Sequence, residues 1–346
     1  MIAKVSVLGH FGRGETLLNG QTVKTKIITE ELQRRLGRKQ VLKIDTRGGW
    51  KTFLKAPFQS FYALKSSRNI LIFPAQNGLR VYVPLLSFFR LFFKNRRLHY
   101  VVIGGWLPEF LKKRKKLTKA LMSFDGIYVE TNTMRKALEA QGFNDVYVMP
   151  NFKDLNILKE SELVYHHTEP YRLCTFSRVM KEKGIEDAVN AVKTVNEHFG
   201  RIVYTLDIYG QVDSAQTEWF NELKSTFPLY IKYGEFVPFD KSVEVLKNYF
   251  ALLFPTYYEG EGFAGTLLDA MAAGVPVIAS DWRYNPEIVN EKTGYVYPVH
   301  DNHAFVTTLI SVGNNSDLLL SKKSDCLKEA EKYRAENVIQ CLTSKL

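Results

Sequence analysis

Between residues 252 and 279 the hydrophobic period of the chain switches from strand to helix and back to strand. The short apolar run Leu252–Phe254 meets Pro255, and a glycine-punctuated acidic loop follows. Thr266–Ala273 has helical spacing, and Gly274-Val275-Pro276 breaks it ahead of a second apolar run, Val277–Ala279. The order strand, loop, helix, strand puts Gly262, Ala264, Gly265 and Thr266 at a helix N-terminus. There the first backbone N–H groups have no internal partners and the helix dipole is positive. Such a site suits a phosphate. Glu261 and Asp269 flank it with seven residues between them. They are spaced to hold hydroxyls of a sugar and of a ribose on either side of a diphosphate. The bland alternatives are a capping acid for Glu261, worth about 0.5–1 kcal/mol, and an exposed helix position for Asp269.

The same rhythm runs through the rest of the chain. Strand-like runs are expected at 4–8, 41–44, 70–73, 100–103, 126–129 and 146–149, then at 171–176, 203–209 and 230–233. Helices are expected between them, including 22–36, with Val23, Ile27, Ile28 and Leu32 on one face and Gly37 as its stop. Repeated strand–helix units argue for parallel sheets covered on both faces, which bind ligands at the C-terminal ends of their strands. At 346 residues the chain is too long for one ordinary core. The expected division is an N-terminal domain at 1–155, a linker near 150–170 and a C-terminal domain at 165–325. A last helix, about 325–346, is placed to cross back to the first domain.

Charge divides the chain. Residues 1–155 carry 28 Lys and Arg against 10 Asp and Glu, a net +18, and the remainder carries 19 against 26, a net −7. The basic half should seek an anionic partner: nucleic acid, a membrane surface or a phosphate-bearing substrate. Residues 81–97, VYVPLLSFFRLFFKNRR, and 111–116, LKKRKK, place dense Leu and Phe beside cations. That combination suits either a helix lying on an anionic bilayer or a buried helix next to a solvated face. No nucleic-acid motif accompanies the charge, so nucleic acid is not an expected partner. No apolar run reaches the roughly 18–20 residues of a membrane span. The start, MIAKVSVLGHFG, reads as a strand and glycine loop rather than a signal peptide. Three cysteines, Cys174, Cys326 and Cys341, have no metal-ligand spacing and fit a reducing cytoplasm.

Other chemistries find little support. Gly9, Gly12, Gly14 and Gly20 do not form the dinucleotide fingerprint, although Asp45 sits where its acid would be. There is no Asp-x-Asp, HExxH, CxxC or GxSxG, and no metal is assigned. Residues 174–184, CTFSRVMKEKG, set Arg178 and Lys183 just after an apolar strand. Two cations there could clamp a diphosphate and stabilise its leaving charge; read alone, they are two solvated surface charges.

Taken together, these elements resemble the retaining GT-B glycosyltransferases of family 4, the glycosyl transferases group 1. The matching pieces are Glu261-Gly262-Phe263 with Asp269, the run AMAAGVPVIASD at 270–281, Arg178 with Lys183-Gly184, and Asp207–Gly210. Residues 233–237, YGEFV, Pro150-Asn151 and Glu287 also match. The resemblance implies an α/β, GT-B architecture of two Rossmann-like, doubly wound domains facing across a cleft. It implies that Arg178 and Lys183 bind the donor diphosphate, that Glu261 contacts the sugar and that the backbone at Ala264, Gly265, Thr266 and Leu267 holds sugar and phosphate. Asp269 would take the ribose, Gly210 and Phe236 would border the base, and Gly20 would approach the donor from the other domain. Two departures stand out. Asp269 replaces the usual Glu, and Gly104-Gly105-Trp106 stand where many relatives carry His or Asp, so no enzymic base is named.

The wording of 257–289, with LNGQTVKTK at 18–26, is similar to bacterial enzymes of capsule, exopolysaccharide and O-antigen assembly. That implies a metal-independent, retaining hexosyltransferase needing no cofactor. Its donor would be a nucleotide-sugar, with UDP as the default base. Its acceptor would be a glycan or polyprenyl-diphosphate-linked glycan at the cytoplasmic membrane face. A nucleotide-sugar epimerase on the same fold, or a non-catalytic protein binding nucleotide-sugars or anionic surfaces, remains as an alternative.

Overall fold

The computed structural model describes residues 2–12, 20–47, 50–165 and 168–346. Its chain forms two compact units, one of 1–154 together with 334–346 and one of 155–333.

The first unit is a six-stranded parallel sheet. Its strands are β1 (Ala3–Gly9), β2 (Val41–Asp45), β3 (Ser67–Ile72), β4 (Arg97–Val101), β5 (Gly126–Val129) and β6 (Val146–Val148), in the order β2-β1-β3-β4-β5-β6. The buried face of the helix Gly20–Leu36 differs from the expected one. Val23 and Ile27 are half-buried, and Thr22, Thr25 and Thr29 join Ile28 and Leu32 inside. The reason is twofold. A Cβ at Gly9 would lie 2.6 Å from Thr25 Cγ2, so helix and β1 approach too closely for a larger residue. The Thr25 and Thr29 hydroxyls donate to the carbonyls of Gln21 and Thr25, so their burial leaves no polar group unsatisfied. Lys24 on this helix forms a buried ion pair with Glu130 just past β5, at 2.8 Å.

A helix at Trp50–Ser66, not expected from the sequence, precedes β3 and carries Pro57 within it. The C-terminal region is three short helices, Lys323–Glu331, Ala335–Val338 and Gln340–Thr343, rather than one. Residues 334–346 belong to the first unit, where Val338, Ile339 and Leu342 are buried against Val5, Ile28 and Tyr128. Arg35 holds them by donating to Glu336 O at 2.6 Å. The chain leaves this unit after Asp154 and returns at Arg334, and a parallel bridge joins Lys153 to Arg334.

In the second unit the strands are β7 (Tyr171–Phe176), β8 (Tyr204–Tyr209), β9 (Ile231–Tyr233), β10 (Ala251–Phe254), β11 (Val277–Ser280) and β12 (Gly294–Tyr297). Their order is β12-β11-β10-β7-β8-β9, all parallel. Chain order reverses between β7 and β10, the position at which doubly wound sheets open a ligand crevice. The helices on either side keep to opposite faces. Ile185–Phe199 packs with Asn302–Asn314, and Gly265–Ala272 packs with Lys323–Glu331 and Ser242–Leu246. β12 was not expected. It pairs so closely with β11 that a Cβ on Gly294 would sit 1.8 Å from Val277 O. No helix of the described residues is long and apolar enough to cross a membrane.

Leu342 is fully buried in the first unit's core. Leu342→Ala should lower stability by about 2–5 kcal/mol, read from urea unfolding followed by circular dichroism. An unchanged midpoint would contradict the packing of residues 334–346 against this sheet.

Candidate active site

At the ends of β7 and β10 the two loops are tied to each other. Tyr257 N donates to Glu182 O at 2.8 Å, and Ser280 Oγ at the end of β11 donates to Thr256 O at 2.6 Å. Gly184, at φ 68°, closes the turn Lys181–Lys183 ahead of the helix Ile185–Phe199. A Cβ there would lie 2.2 Å from Pro255 O, so only glycine allows this approach. Gly210 plays the same part on the other side. At φ 137°, it runs so near β7's loop that a Cβ would sit 1.7 Å from Ser177 O. The loops after β7 and β8 are thereby zipped, with Val179 bridging Val212.

This framework surrounds a cavity of about 310 Å³. Six of the expected residues line it: Arg178, Lys183, Glu261, Ala264, Gly265 and Thr266. Lys183 Nζ meets Glu261 Oε2 at 2.5 Å, with the two side chains 12% and 8% exposed. Thr256 Oγ1, fully buried, donates to the same carboxylate oxygen at 2.9 Å. Both contacts fall on Oε2, which leaves Oε1 as the carboxylate's other acceptor. Lys183 also lies over the rings of Tyr258 and Phe254, at 5.0 and 5.7 Å. Arg178 is 62% exposed and pairs with Asp213 at 3.3 Å. An exposed pair of that kind contributes little and exchanges readily for another anion.

The helix Gly265–Ala272 begins beside this pair. Its N-cap, Ala264, offers no side-chain cap, and Leu267 N–H donates back to Ala264 O at 3.1 Å. Thr266 Oγ1 is buried there without a hydrogen-bond partner. Glu261 is therefore not the helix cap that the bland reading made it. Asp269 is 4% exposed, so the exposed-helix alternative for it also fails.

The remaining expected residues lie elsewhere. Phe263 and Leu267 are buried, with the Phe263 ring edge-on to Tyr333 at 5.2 Å, so only their backbones can serve a ligand. Gly262, Gly210, Phe236 and Asp269 do not line the cavity. Phe236 is an exposed ring on the loop after β9. Gly20 opens a helix of the first unit, and residues 13–19 before it lie outside the described residues. Thr256 and Tyr258 were not singled out from sequence. Their neighbourhood to the Pro255 turn was the available signal.

Comparison with known proteins fits this geometry. Residues 170–315 match the family model described as glycosyl transferases group 1, and the match falls within the second unit. The chain is 28% identical over 209 residues to the Streptococcus gordonii UDP-N-acetylglucosamine–peptide N-acetylglucosaminyltransferase GtfA subunit, covering 54% of this chain and 38% of that one. It is 26% identical over 147 residues to the amylovoran biosynthesis glycosyltransferase AmsK of Erwinia amylovora, covering 41% and 36%. The chain thus spans well under half the length of these curated relatives. Among solved structures, sucrose-phosphate synthase from Thermosynechococcus elongatus aligns with TM-score 0.76 at 13% identity, over 99% of this chain and 98% of that one. Anabaena HepE in complex with UDP aligns with TM-score 0.72 at 12% identity, over the same shares. The fold is the GT-B glycosyltransferase fold.

Removing Lys183 strands a largely buried carboxylate. Lys183→Met should cost about 3 kcal/mol of stability, and adding Glu261→Gln should restore most of it. Thermal unfolding of both variants checks this. Equal loss in single and double variants would show that the two side chains do not depend on each other.

Proposed function

We propose that this protein is a retaining hexosyltransferase that moves a sugar from a nucleotide-sugar, UDP-linked by default, to a glycan acceptor. The observation that carries the proposal is the Lys183–Glu261 pair set beside the uncapped start of the helix Gly265–Ala272. A cation, free N–H groups and a carboxylate with an open oxygen meet in one cavity. That is the complement of a sugar diphosphate: anionic phosphates on one side, hydroxyl donors on the other.

On donor binding, Lys183 and Arg178 would exchange their carboxylate partners for diphosphate oxygens. Glu261, held by Thr256, would accept from sugar hydroxyls through Oε1. As the bond from the anomeric carbon to the diphosphate breaks, negative charge grows on the leaving oxygen. Lys183, Arg178 and the helix N-terminus are poised to stabilise it, so neither a metal ion nor another cofactor is needed in this scheme. The acceptor hydroxyl would bond to the same face of the anomeric carbon, with its proton passing to the departing phosphate oxygen. Asp269 would hold the ribose, with Gly262, Phe263 and Leu267 contributing backbone. Gly210 and Phe236 would border the base, and Gly20 would approach the donor from the first unit.

Support for a glycan acceptor comes from one relative, which carries amylovoran biosynthesis in its name. We extend this to a polyprenyl-diphosphate-linked glycan at the inner face of a bacterial membrane, as in capsule or exopolysaccharide assembly. The basic first unit, with its net +18 over 1–155, suits such an anionic acceptor.

A thermal-shift panel of UDP, GDP, ADP, CMP and their sugar conjugates tests the donor assignment. UDP and one UDP-sugar should raise the melting temperature above the other compounds, since a ligand bound only by the native state stabilises it. Arg178→Ala should shrink that rise without lowering the ligand-free melting temperature. Stabilisation by no compound in the panel would overturn the donor assignment.

A further inference from the structure

Two helices of the first unit expose a continuous aromatic surface. On Trp50–Ser66 the outward stripe is Leu54, Phe58, Phe61 and Tyr62; on Gln76–Arg90 and its exit it is Phe88, Leu91 and Phe92. Phe58 and Phe92 are 79% and 71% exposed. The rings knit the helices together, with Phe61 edge-on to Phe89 at 5.9 Å and to Phe93 at 5.5 Å. Soluble surfaces seldom leave so many large apolar side chains side by side without a purpose.

The same helix leads from this patch into a cationic cleft. One turn before Phe88, Pro84 lines a cavity of about 780 Å³, larger than the one beside Lys183. Its walls carry Arg80, Lys112, Lys113, Arg114, Lys115 and Lys116, over a floor that includes Leu117. Nearby acids neutralise little of this charge. Glu109 pairs with Lys112 at 2.5 Å and Asp125 with Arg90 at 2.9 Å. Among the described residues no ion pair engages Arg80, Lys113, Lys115 or Lys116. Lys65 continues the apolar stripe of its helix, and Lys94 follows Phe92; both are exposed.

We propose that this surface docks the protein on an anionic phospholipid bilayer. The aromatic stripe would enter the headgroup–acyl boundary, and the cleft would hold lipid phosphates. Lysine is depleted from protein–protein interfaces, whereas a lysine rim beside exposed Phe and Leu is the pattern of segments that lie in a lipid interface. Of the two sequence readings of residues 81–97, the exposures of Phe88 and Phe92 favour the bilayer surface over the buried helix. This docking is independent of the transferase reading, because it uses no residue of the second unit.

Co-sedimentation with vesicles tests it. The protein should pellet with mixed phosphatidylcholine–phosphatidylglycerol vesicles, weakly with phosphatidylcholine alone, and less as salt rises. Phe58→Glu/Phe92→Glu should abolish pelleting. Replacing Lys113, Lys115 and Lys116 with Ser should weaken it by about fivefold per charge removed. Both sets of positions are exposed, so the melting temperature should stay unchanged and the variants remain folded. Failure to pellet with anionic vesicles, or pelleting that Phe58→Glu/Phe92→Glu leaves intact, would overturn the proposal. So would a lipid-free dimer in analytical ultracentrifugation that the same variant dissociates, since a second copy would then cover the patch. None of these readouts depends on donor binding, so the donor assignment can fail while docking stands.

Discussion

Lys183 and Glu261 stand 78 positions apart in the chain and 2.5 Å apart in space. What brings them together is the adjacency of β7 and β10, parallel strands whose connections leave in opposite directions. A charge pair this buried is held only where geometry and further hydrogen bonds compensate its desolvation. Thr256 and the flanking rings supply that compensation, and Gly184 permits the close approach of the two loops. A side chain at Gly184 would push the Pro255 turn away and part the pair.

The pair also sets the resting chemistry of the cavity. Each charge neutralises the other, and Arg178 pairs with Asp213. A ligand with phosphates at one end and hydroxyls at the other can replace both partnerships without leaving a buried charge alone. A ligand offering only one of the two would leave Lys183 or Glu261 with its original partner. Selectivity for a sugar diphosphate over a simple phosphate or a free sugar would then follow from mutual pairing.

Much of this was legible in the sequence because the signals were local. The strand–glycine–helix pattern at 252–279 located the helix start near Gly265, and period alone located eleven of the twelve strands among the described residues, usually to within a few residues. Missed features depended on distant partners. The short strand β12 is defined by the close pairing of its Gly294 with Val277 of β11 rather than by apolar length. The inner face of the helix Gly20–Leu36 includes Thr25 and Thr29, whose hydroxyls donate within their own helix, so hydrophobic period caught Ile28 and Leu32 but not the threonines beside them. The helix Trp50–Ser66 was hidden by its internal proline. Arg178 and Lys183 looked like surface charges in isolation. Arg178 is indeed exposed, and only the fold separates it from buried Lys183.

A crystal structure of the protein with UDP bound addresses the central claim most directly. We expect diphosphate oxygens within hydrogen-bonding distance of the Gly265 and Thr266 N–H groups. Lys183 should be turned from Glu261 toward the phosphates, and the ribose should lie beside Asp269. UDP bound elsewhere, with the Lys183–Glu261 pair intact and the helix start uncontacted, would contradict the account.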